Sequence, residues 1–294
     1  MKPNEKIILC YGKTSFTPGR YLEDGLKSIG VKVDVYEKEI DFSKINISEY
    51  LAVLFVESPS KPPVIVKNIN LVKIPKILWI HHGENRLHTN LKLESFYKPD
   101  LILMAHSLHL SDKFSAPVKF FPFAMANDIF NCSVDLKKRK YDVSFVGGKN
   151  PRYYQERKKA LHIIKRQLAS KYNLSLDSNV YLNQLAEHYG NSKIVINHTA
   201  DHIKSLNMRI FEGMGCGSLV LTDYVAGQEQ LFVDKQHYVI YKDHKELVEL
   251  IDYYLKHLDE AQKIASNGYR YLLGNHTYAH RARELIEIIK KMSK

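Results

Sequence analysis

The sequence predicts an α/β protein built from two successive Rossmann-like halves, and three observations carry that reading. Short apolar runs recur along the chain with helical segments between them, the pattern of parallel strands buried on both faces. The alternation lapses once, between Pro122 and Tyr141, and then restarts. At 294 residues the chain suits two domains of ordinary size better than one.

In the first half, Ile7–Tyr11 reads as a strand, Pro18–Ile29 as a helix and Val31–Tyr36 as a strand with period-two alternation. Leu51–Val56, Lys76–Ile80, Leu101–Met104 and Val118–Phe121 are further apolar runs of strand length. The stretch that follows is rich in Asn and Asp and ends on Lys137-Lys-Arg-Lys140, so we expect a linker over 127–140 between domains at 1–126 and 141–276. In the second half Asp142–Val146 is a strand followed by Gly147-Gly148 and a long helix from about Tyr153 to Tyr172. Lys193–Asn197, Ser218–Thr222 and Tyr238–Tyr241 are the next strands. Helices near Lys245–Leu258, Glu260–Leu273 and Ala279–Lys291 finish the chain, the last of them within 277–294.

Composition excludes some classes and favours others. A hydrophobic content of 45%, with 19 Tyr and 12 Phe, excludes a disordered chain. No apolar run reaches the length of a membrane span, and Met1–Lys6 leads straight into Ile7–Cys10 without a signal-peptide core, so a cytoplasmic protein is expected. Cys10, Cys132 and Cys216 are too far apart for a metal-ligand pair and read as packing residues. The formal charge of +11 asks for an anionic partner: a nucleoside diphosphate, an acidic polymer or an anionic membrane surface. No nucleic-acid reading motif accompanies the basic clusters at 137–140, 157–159 and 290–294, and each also reads as a solvated surface.

The segment Ser205–Asp223 concentrates the chemistry. Asn207, Arg209 and Glu212 are the only strongly polar side chains between Leu206 and Gly213, and Arg209 and Glu212, three apart, share one face of a helix. Gly213, Gly215 and Gly217 permit a tight turn and close approach to a ligand. A cation, a carboxylate and glycines at a helix–turn–strand junction suit a phosphorylated, hydroxyl-rich ligand such as a nucleotide. Taken alone, the segment equally fits a surface ion pair on an amphipathic helix. Gly147-Gly148 offers a second phosphate cradle at a strand end, reinforced by Lys149 and Arg152. His81, His82 and Glu84 follow the strand Lys76–Ile80, where loops carry reactive groups, and His82 or Glu84 can accept a proton. His106 and His198 occupy comparable positions after other strands.

These residues resemble the GT-B type of glycosyltransferase, in particular the group that includes the spore maturation protein CgeB. The resemblance is carried by Asp142–Gly148, Ser192–Asn197, Asn207-x-Arg209-x-Phe211-Glu212-Gly213-x-Gly215-x-Gly217, the run from Tyr238–Asp243 to Gly268-Tyr269, and Tyr278-Ala-His280-Arg281. Phe16–Gly19 and Phe121–Phe130 extend it more weakly into the first half. It implies two Rossmann-like domains facing across a cleft, with the acceptor on the first domain, a nucleotide-sugar of UDP or dTDP type on the second, and a final helix crossing back to the first domain. It further implies that Glu212 accepts hydrogen bonds from the donor ribose, that Arg209 faces the diphosphate, and that basic residues beside Gly147-Gly148 stabilise the leaving group. Two aspartates spaced as Asp-x-Asp, the metal motif of the other large glycosyltransferase fold, do not occur, so metal-independent chemistry is expected. One departure stands out. Lys204 occupies the position of the earlier glutamate in the pair, separated by seven intervening residues, that many retaining members carry.

The expectation is therefore transfer of a sugar from a nucleotide-sugar to a hydroxyl of a glycan, a cell-surface polymer or a protein. His82, Glu84 and His81 are the catalytic candidates, and Gly147, Gly148, Lys149, Arg152, Lys204, Asn207, Arg209, Glu212 and Gly213 the donor-binding ones. A nucleotide-sugar epimerase or hydrolase on the same fold, or a non-catalytic saccharide-binding assembly protein, are the alternatives. Retention of Arg209 and Glu212 together favours an enzyme.

Overall fold

The computed structural model describes residues 5–58, 61–132, 135–148, 150, 152–177, 179–201 and 206–293. Lys149 and Lys204 lie outside the described residues. The chain divides into two compact units, one of Met1–Pro122 with Tyr278–Lys294 and one of Phe123–Thr277.

The first unit holds strands β1 (Lys6–Cys10), β2 (Lys32–Tyr36), β3 (Glu39–Asp41), β4 (Ala52–Val56), β5 (Ile65–Lys67), β6 (Lys76–Ile80), β7 (Leu101–Met104) and β8 (Val118–Phe120), with helices α1 (Pro18–Ser28) and α2 (Leu87–Tyr97). Its six-stranded sheet runs β2-β1-β4-β6-β7-β8, parallel throughout. Every residue of β4 is buried, as expected of a central strand covered on both faces. The strand order reverses between β1 and β4, so the carboxyl ends of these two strands border the crevice where such sheets place ligands. The sequence reading had no counterpart for α2 or for the small parallel β3-β5 pair, whose strands are three residues each.

The second unit contains β9 (Tyr141–Val146), α3 (Gln155–Leu168), β10 (Leu174–Asp177), α4 (Leu182–Gly190), β11 (Ser192–Asn197), α5 (Met208–Gly215), β12 (Leu219–Asp223), β13 (Val239–Tyr241), α6 (His244–Lys256) and α7 (Leu258–Asn275). The five strands run parallel in the order β10-β9-β11-β12-β13. Its core joins Val143, Phe145, Ile194, Ile196, Leu219 and Leu221 of the sheet to Ala160, Ile164 and Leu168 of α3 and to Leu247 and Ile251 of α6. The expected helix to Tyr172 ends at Leu168, and the chain turns at once into β10.

The basic stretch expected as linker is packed rather than solvated over its described end. Leu136 is fully buried and Arg139 is 4% exposed. The Arg139 guanidinium donates to the carbonyls of Ser192 (2.9 Å) and Cys216 (2.9 Å) and to Ser218 Oγ (3.0 Å), tying β11 to the turn before β12.

The final helix, α8 (Tyr278–Met292), belongs to the first unit. It lies against α1 at Gly25, where an added Cβ would stand 2.5 Å from the Tyr278 carbonyl oxygen. Arg281 Nε also donates to the Pro122 carbonyl at 2.9 Å. Among the described residues no helix is long and apolar enough to cross a membrane.

Candidate functional site

The charged core of the second unit is built at the carboxyl end of β9. Asn207 caps α5, its Oδ1 accepting the Arg209 main-chain N–H at 3.0 Å, which fixes the direction in which Arg209 leaves the helix. The Arg209 Nε then donates to the Val146 carbonyl (2.9 Å) and Nη1 to Asn197 Oδ1 (2.8 Å), bridging the ends of β9 and β11. Its guanidinium stacks 4.8 Å from the Phe145 ring centroid.

Arg157, from the first turn of α3, converges on the same ring, 5.4 Å from Phe145 and 3.9 Å from Tyr154. Its Nε and Nη2 donate to the His198 carbonyl at 2.9 and 2.6 Å, and Nη1 to the Gly148 carbonyl at 2.9 Å. Every one of these acceptors is neutral, and neither arginine has a carboxylate ion-pair partner among the described residues. Burial, and then the Arg209 charge, lower Arg157 to about 10, so it remains a cation at neutral pH. Asp223 and Glu212 feel these charges from beyond ion-pair distance, and two cations with no carboxylate in contact among the described residues, in a largely buried place, form a site that favours an anion.

The basic cluster at 157–159 fits either a solvated surface or an anion-attracting one, and the structure buries Arg157 to 5% exposure. The signal that places it was present: Arg157, Ala160, Leu161, Ile164 and Leu168 recur at helical spacing and form the buried face of α3.

Glu212 stands one turn after Arg209 without an ion pair to it among the described residues. The carboxylate is 9% exposed, and burial pushes it up to about 7, with the Arg209 charge pulling the other way. A surface ion pair is therefore excluded. Such a carboxylate gains from hydroxyl donors that a ligand brings.

The glycines divide by role. Gly147 and Gly148 lie directly under the site, where an added Cβ would meet Arg209 Nη2 at 2.5 Å and the Tyr154 ring at 2.9 Å. Gly213 instead faces the sheet, and its Cβ would stand 2.9 Å from Val220 Cγ2. It serves close packing of α5, which corrects its assignment as a ligand contact. The expected phosphate cradle at the start of the helix after Gly148 also needs correction. The first amides of α3, at Gln155 and Glu156, are already taken by the Asp201 carboxylate. Arg152 is exposed, its N–H bonded to Asn150 Oδ1 at 3.0 Å. Beside the arginines, His198 is buried, its Nδ1 2.6 Å from the Tyr241 hydroxyl, and burial holds the ring below its ordinary pKa.

The first unit carries a separate cluster at the carboxyl ends of β4, β6 and β7. Glu57, just past β4, has a side chain of 0% exposure. One of its oxygens accepts the main-chain N–H groups of His81 (2.7 Å) and His82 (2.8 Å). The other lies 2.6 Å from Arg86 Nε and 3.5 Å from His82 Nδ1. Burial alone would raise Glu57, but the His82 contact, with the neighbouring positive charge and the His81 amide, holds it well below the usual carboxylate range. Of the two histidines only His82, with a side chain 38% exposed, reaches solvent. His81 is turned inward with its ring edge-on to Trp79, and burial pushes it down to about 3, so it is a neutral interior group. Its assignment as a catalytic candidate is corrected accordingly. Glu84 accepts the Ser107 hydroxyl at 2.8 Å, and that hydroxyl is 2.6 Å from His106 Nδ1. Glu57 was not among the sequence candidates. It follows a fully apolar strand, and that placement was its one signal.

Comparison with known proteins bears on both units. No curated protein sequence matches the chain. Among solved structures, an alpha-glucosyltransferase in complex with UDP-glucose and DNA containing an abasic site superposes with a TM-score of 0.68 at 13% identity, over 97% of this chain and 99% of that one. The sucrose-phosphate synthase of Thermosynechococcus elongatus gives 0.64 at 11% identity, over 98% and 99% of the two chains. HepE of Anabaena, in complex with UDP and glucose, gives 0.61 at 12% identity over 98% and 100%. These likenesses show the GT-B fold across nearly the whole chain. A model of the Glycosyl transferase-like family matches residues 134–287, more than half of the sequence. The chain is thus a glycosyltransferase of the GT-B fold and belongs to the Glycosyl transferase-like family.

Proposed function

We propose that this enzyme transfers a sugar from a nucleoside-diphosphate-sugar of UDP or dTDP type to a hydroxyl of a glycan, polymer or protein acceptor, as a CgeB-like member of its family. The observation that carries the donor reading is the pair Arg157 and Arg209, two cations that share the Phe145 ring and whose hydrogen bonds among the described residues go to neutral acceptors. A diphosphate supplies the missing negative charge, and its departure in the reaction strengthens the same contacts. Glu212 accepts the ribose hydroxyls. Fixed positive charge at Arg157 and Arg209 serves the leaving group, so we infer turnover without a divalent metal. UDP in the structures of the alpha-glucosyltransferase and HepE supports the nucleotide class.

On the first unit, His82 takes the proton of the acceptor hydroxyl. The hydroxyl oxygen forms the new bond to the anomeric carbon, and the diphosphate leaves with the electron pair of the broken bond. The test is calorimetric titration with UDP, together with turnover of UDP-sugars in EDTA. Tight binding in the wild type, a loss of at least tenfold in Glu212→Ala, and undiminished turnover in EDTA are expected. Unchanged UDP affinity in Glu212→Ala would refute the donor assignment.

A further inference from the structure

A groove of about 430 Å³ in the first unit is given no task by the proposed chemistry. It opens at the carboxyl end of the six-stranded sheet, walled by the segments that follow β1 and β2 and by the approach to β5. Three of its lining side chains are lysines, Lys13, Lys38 and Lys61, against a single carboxylate, Glu37. Lys38 and Lys61 are exposed and have no ion pair among the described residues. Lys13 stands 3.5 Å from a Glu23 oxygen that already takes Lys27 at 2.5 Å and Arg20 at 3.1 Å, so it is the loosest cation on that carboxylate. The place of Lys61 is built by the chain around it. Its amide closes a turn onto the Ser58 carbonyl (3.1 Å), and the Ser58 hydroxyl accepts the Gly12 amide (3.0 Å). The lysine stem then lies across Gly12, where an added Cβ would stand 2.3 Å from Lys61 Cβ. On the other wall the Ile65 amide donates to the Lys38 carbonyl at 2.8 Å and fixes that backbone.

We propose that this groove is an acceptor subsite for an anionic saccharide, holding an acidic residue of a glycan or polyol chain away from the hydroxyl that is glycosylated. The proposal rests on the reading of the first unit as the one that binds the acceptor, and adds the chemical class of that acceptor. Pro62, Pro63 and Ile65 give the groove a stiff apolar wall. A sugar ring lays its apolar face on such a wall while its anionic group meets the lysines and Glu37 accepts a hydroxyl. No aromatic side chain is among the described lining residues, so a nucleic acid would find no surface on which to stack its bases. Position fits the same reading. His82 follows β6, two strand spacings from β1 and three from β2, roughly 10 and 14 Å. The groove is therefore too distant to hold the reacting hydroxyl and near enough to hold another residue of the same chain. Binding energy gained there orients the hydroxyl that reacts. A uronic acid carboxylate and a polyol phosphate both supply the required charge.

Fluorescence polarisation with end-labelled tetragalacturonate reads the groove in the full chain without donor or turnover. Binding that weakens with salt is expected, with labelled cellotetraose, a neutral counterpart, bound far more weakly. Lys38→Gln and Lys61→Gln should each weaken tetragalacturonate binding by about two- to fivefold, and the double variant by roughly tenfold. Lys32→Gln, at the amino end of β2, should leave it unchanged. Equal binding of the neutral probe, an equal loss in Lys32→Gln, or binding insensitive to Lys38 and Lys61 would overturn the proposal. So would a thymidine oligonucleotide of equal charge that binds as tightly. Competition with a glycerol phosphate tetramer separates the two sources of charge: the stronger competitor, this or unlabelled tetragalacturonate, identifies the anion the subsite takes. Calorimetry with UDP keeps the proposal apart from the donor reading. Tight UDP binding without lysine-dependent saccharide binding removes the subsite alone. Lysine-dependent saccharide binding in a chain with no affinity for UDP removes the donor assignment alone.

Discussion

The guanidinium groups of Arg157 and Arg209 rest against a single aromatic ring, that of Phe145, at 5.4 and 4.8 Å from its centroid. One comes from the start of α3 and the other from the start of α5, so two helices deliver like charges to one strand end. Their mutual repulsion is a standing cost in the unliganded chain, and an anion relieves it. Hydrogen bonds to charged groups contribute roughly 1.5–3 kcal/mol each. Arg157→Met should therefore weaken UDP binding by about 10–100-fold and reduce its salt dependence, as measured by calorimetry at two ionic strengths. The same variant strands the His198 and Gly148 carbonyls and should cost about 1–3 kcal/mol of stability in a thermal melt. Affinity for UDP equal to the wild type would show that the cationic pair serves structure alone.

The proposed contact of Glu212 with the donor ribose would couple donor binding to pH. Its folded value of about 7 lies above the ordinary 4.5, so between these the folded state retains a proton that the unfolded state has released. The contribution is unfavourable and grows as pH rises through that window, to roughly 3 kcal/mol above pH 7. The unliganded protein should lose stability from pH 5 to pH 7.5 through this group, and Glu212→Gln should flatten that slope. Ribose hydroxyls donate to the ionised carboxylate and pull its pKa down. UDP binding near pH 6.5 should accordingly release a proton, read from binding enthalpies in two buffers of different ionisation heat. No buffer dependence in the wild type would count against the ribose contact.

Much of this site was legible in the sequence wherever a motif and a period coincide. Arg209 and Glu212 sit on a helix flagged by its glycines, and the strands that surround them are plain apolar runs. Legibility failed where the informative partner is distant in sequence. Nothing near Glu57 announces that it will meet the amides of residues 81 and 82, since that meeting depends on β4 and β6 lying side by side. Arg139 was misread for a related reason: among Lys137, Lys138 and Lys140 its charge looks like one of a run, and only the fold supplies the acceptors that draw it inward. The small strand pair β3-β5 has only three residues in each strand, too few for a period to show in the sequence. Gly213 shows the converse error, a glycine in a functional motif whose missing side chain is used by Val220.

Gly25 sets the spacing of α1 and α8 in the first unit. Glycine in a helix costs about 1 kcal/mol relative to alanine, so Gly25→Ala would stabilise an isolated α1. Here the added methyl would stand 2.5 Å from the Tyr278 carbonyl oxygen and 2.7 Å from its carbon, main-chain atoms that move only with the whole helix. The clash should win, with a net loss of about 1–3 kcal/mol in a urea titration. UDP affinity, on the proposed donor assignment to the second unit, should be unchanged. A stabilised Gly25→Ala would mean that the two helices separate freely.

Arg139 offers the sharpest contrast between a solvated and a buried reading of one residue. A solvated lysine-like position would tolerate Arg139→Met within about 0.5 kcal/mol. The structure instead has its fork of N–H groups holding the Ser192 and Cys216 carbonyls and the Ser218 hydroxyl, and burial lowers its pKa. Methionine fills the volume but leaves these acceptors without donors, at roughly 1–3 kcal/mol for each that water cannot reach. The expected loss is therefore above about 3 kcal/mol, seen as an earlier urea transition of the second unit. Arg139→Lys should recover little of it, because a single ammonium cannot span acceptors fixed on β11 and on the turn before β12.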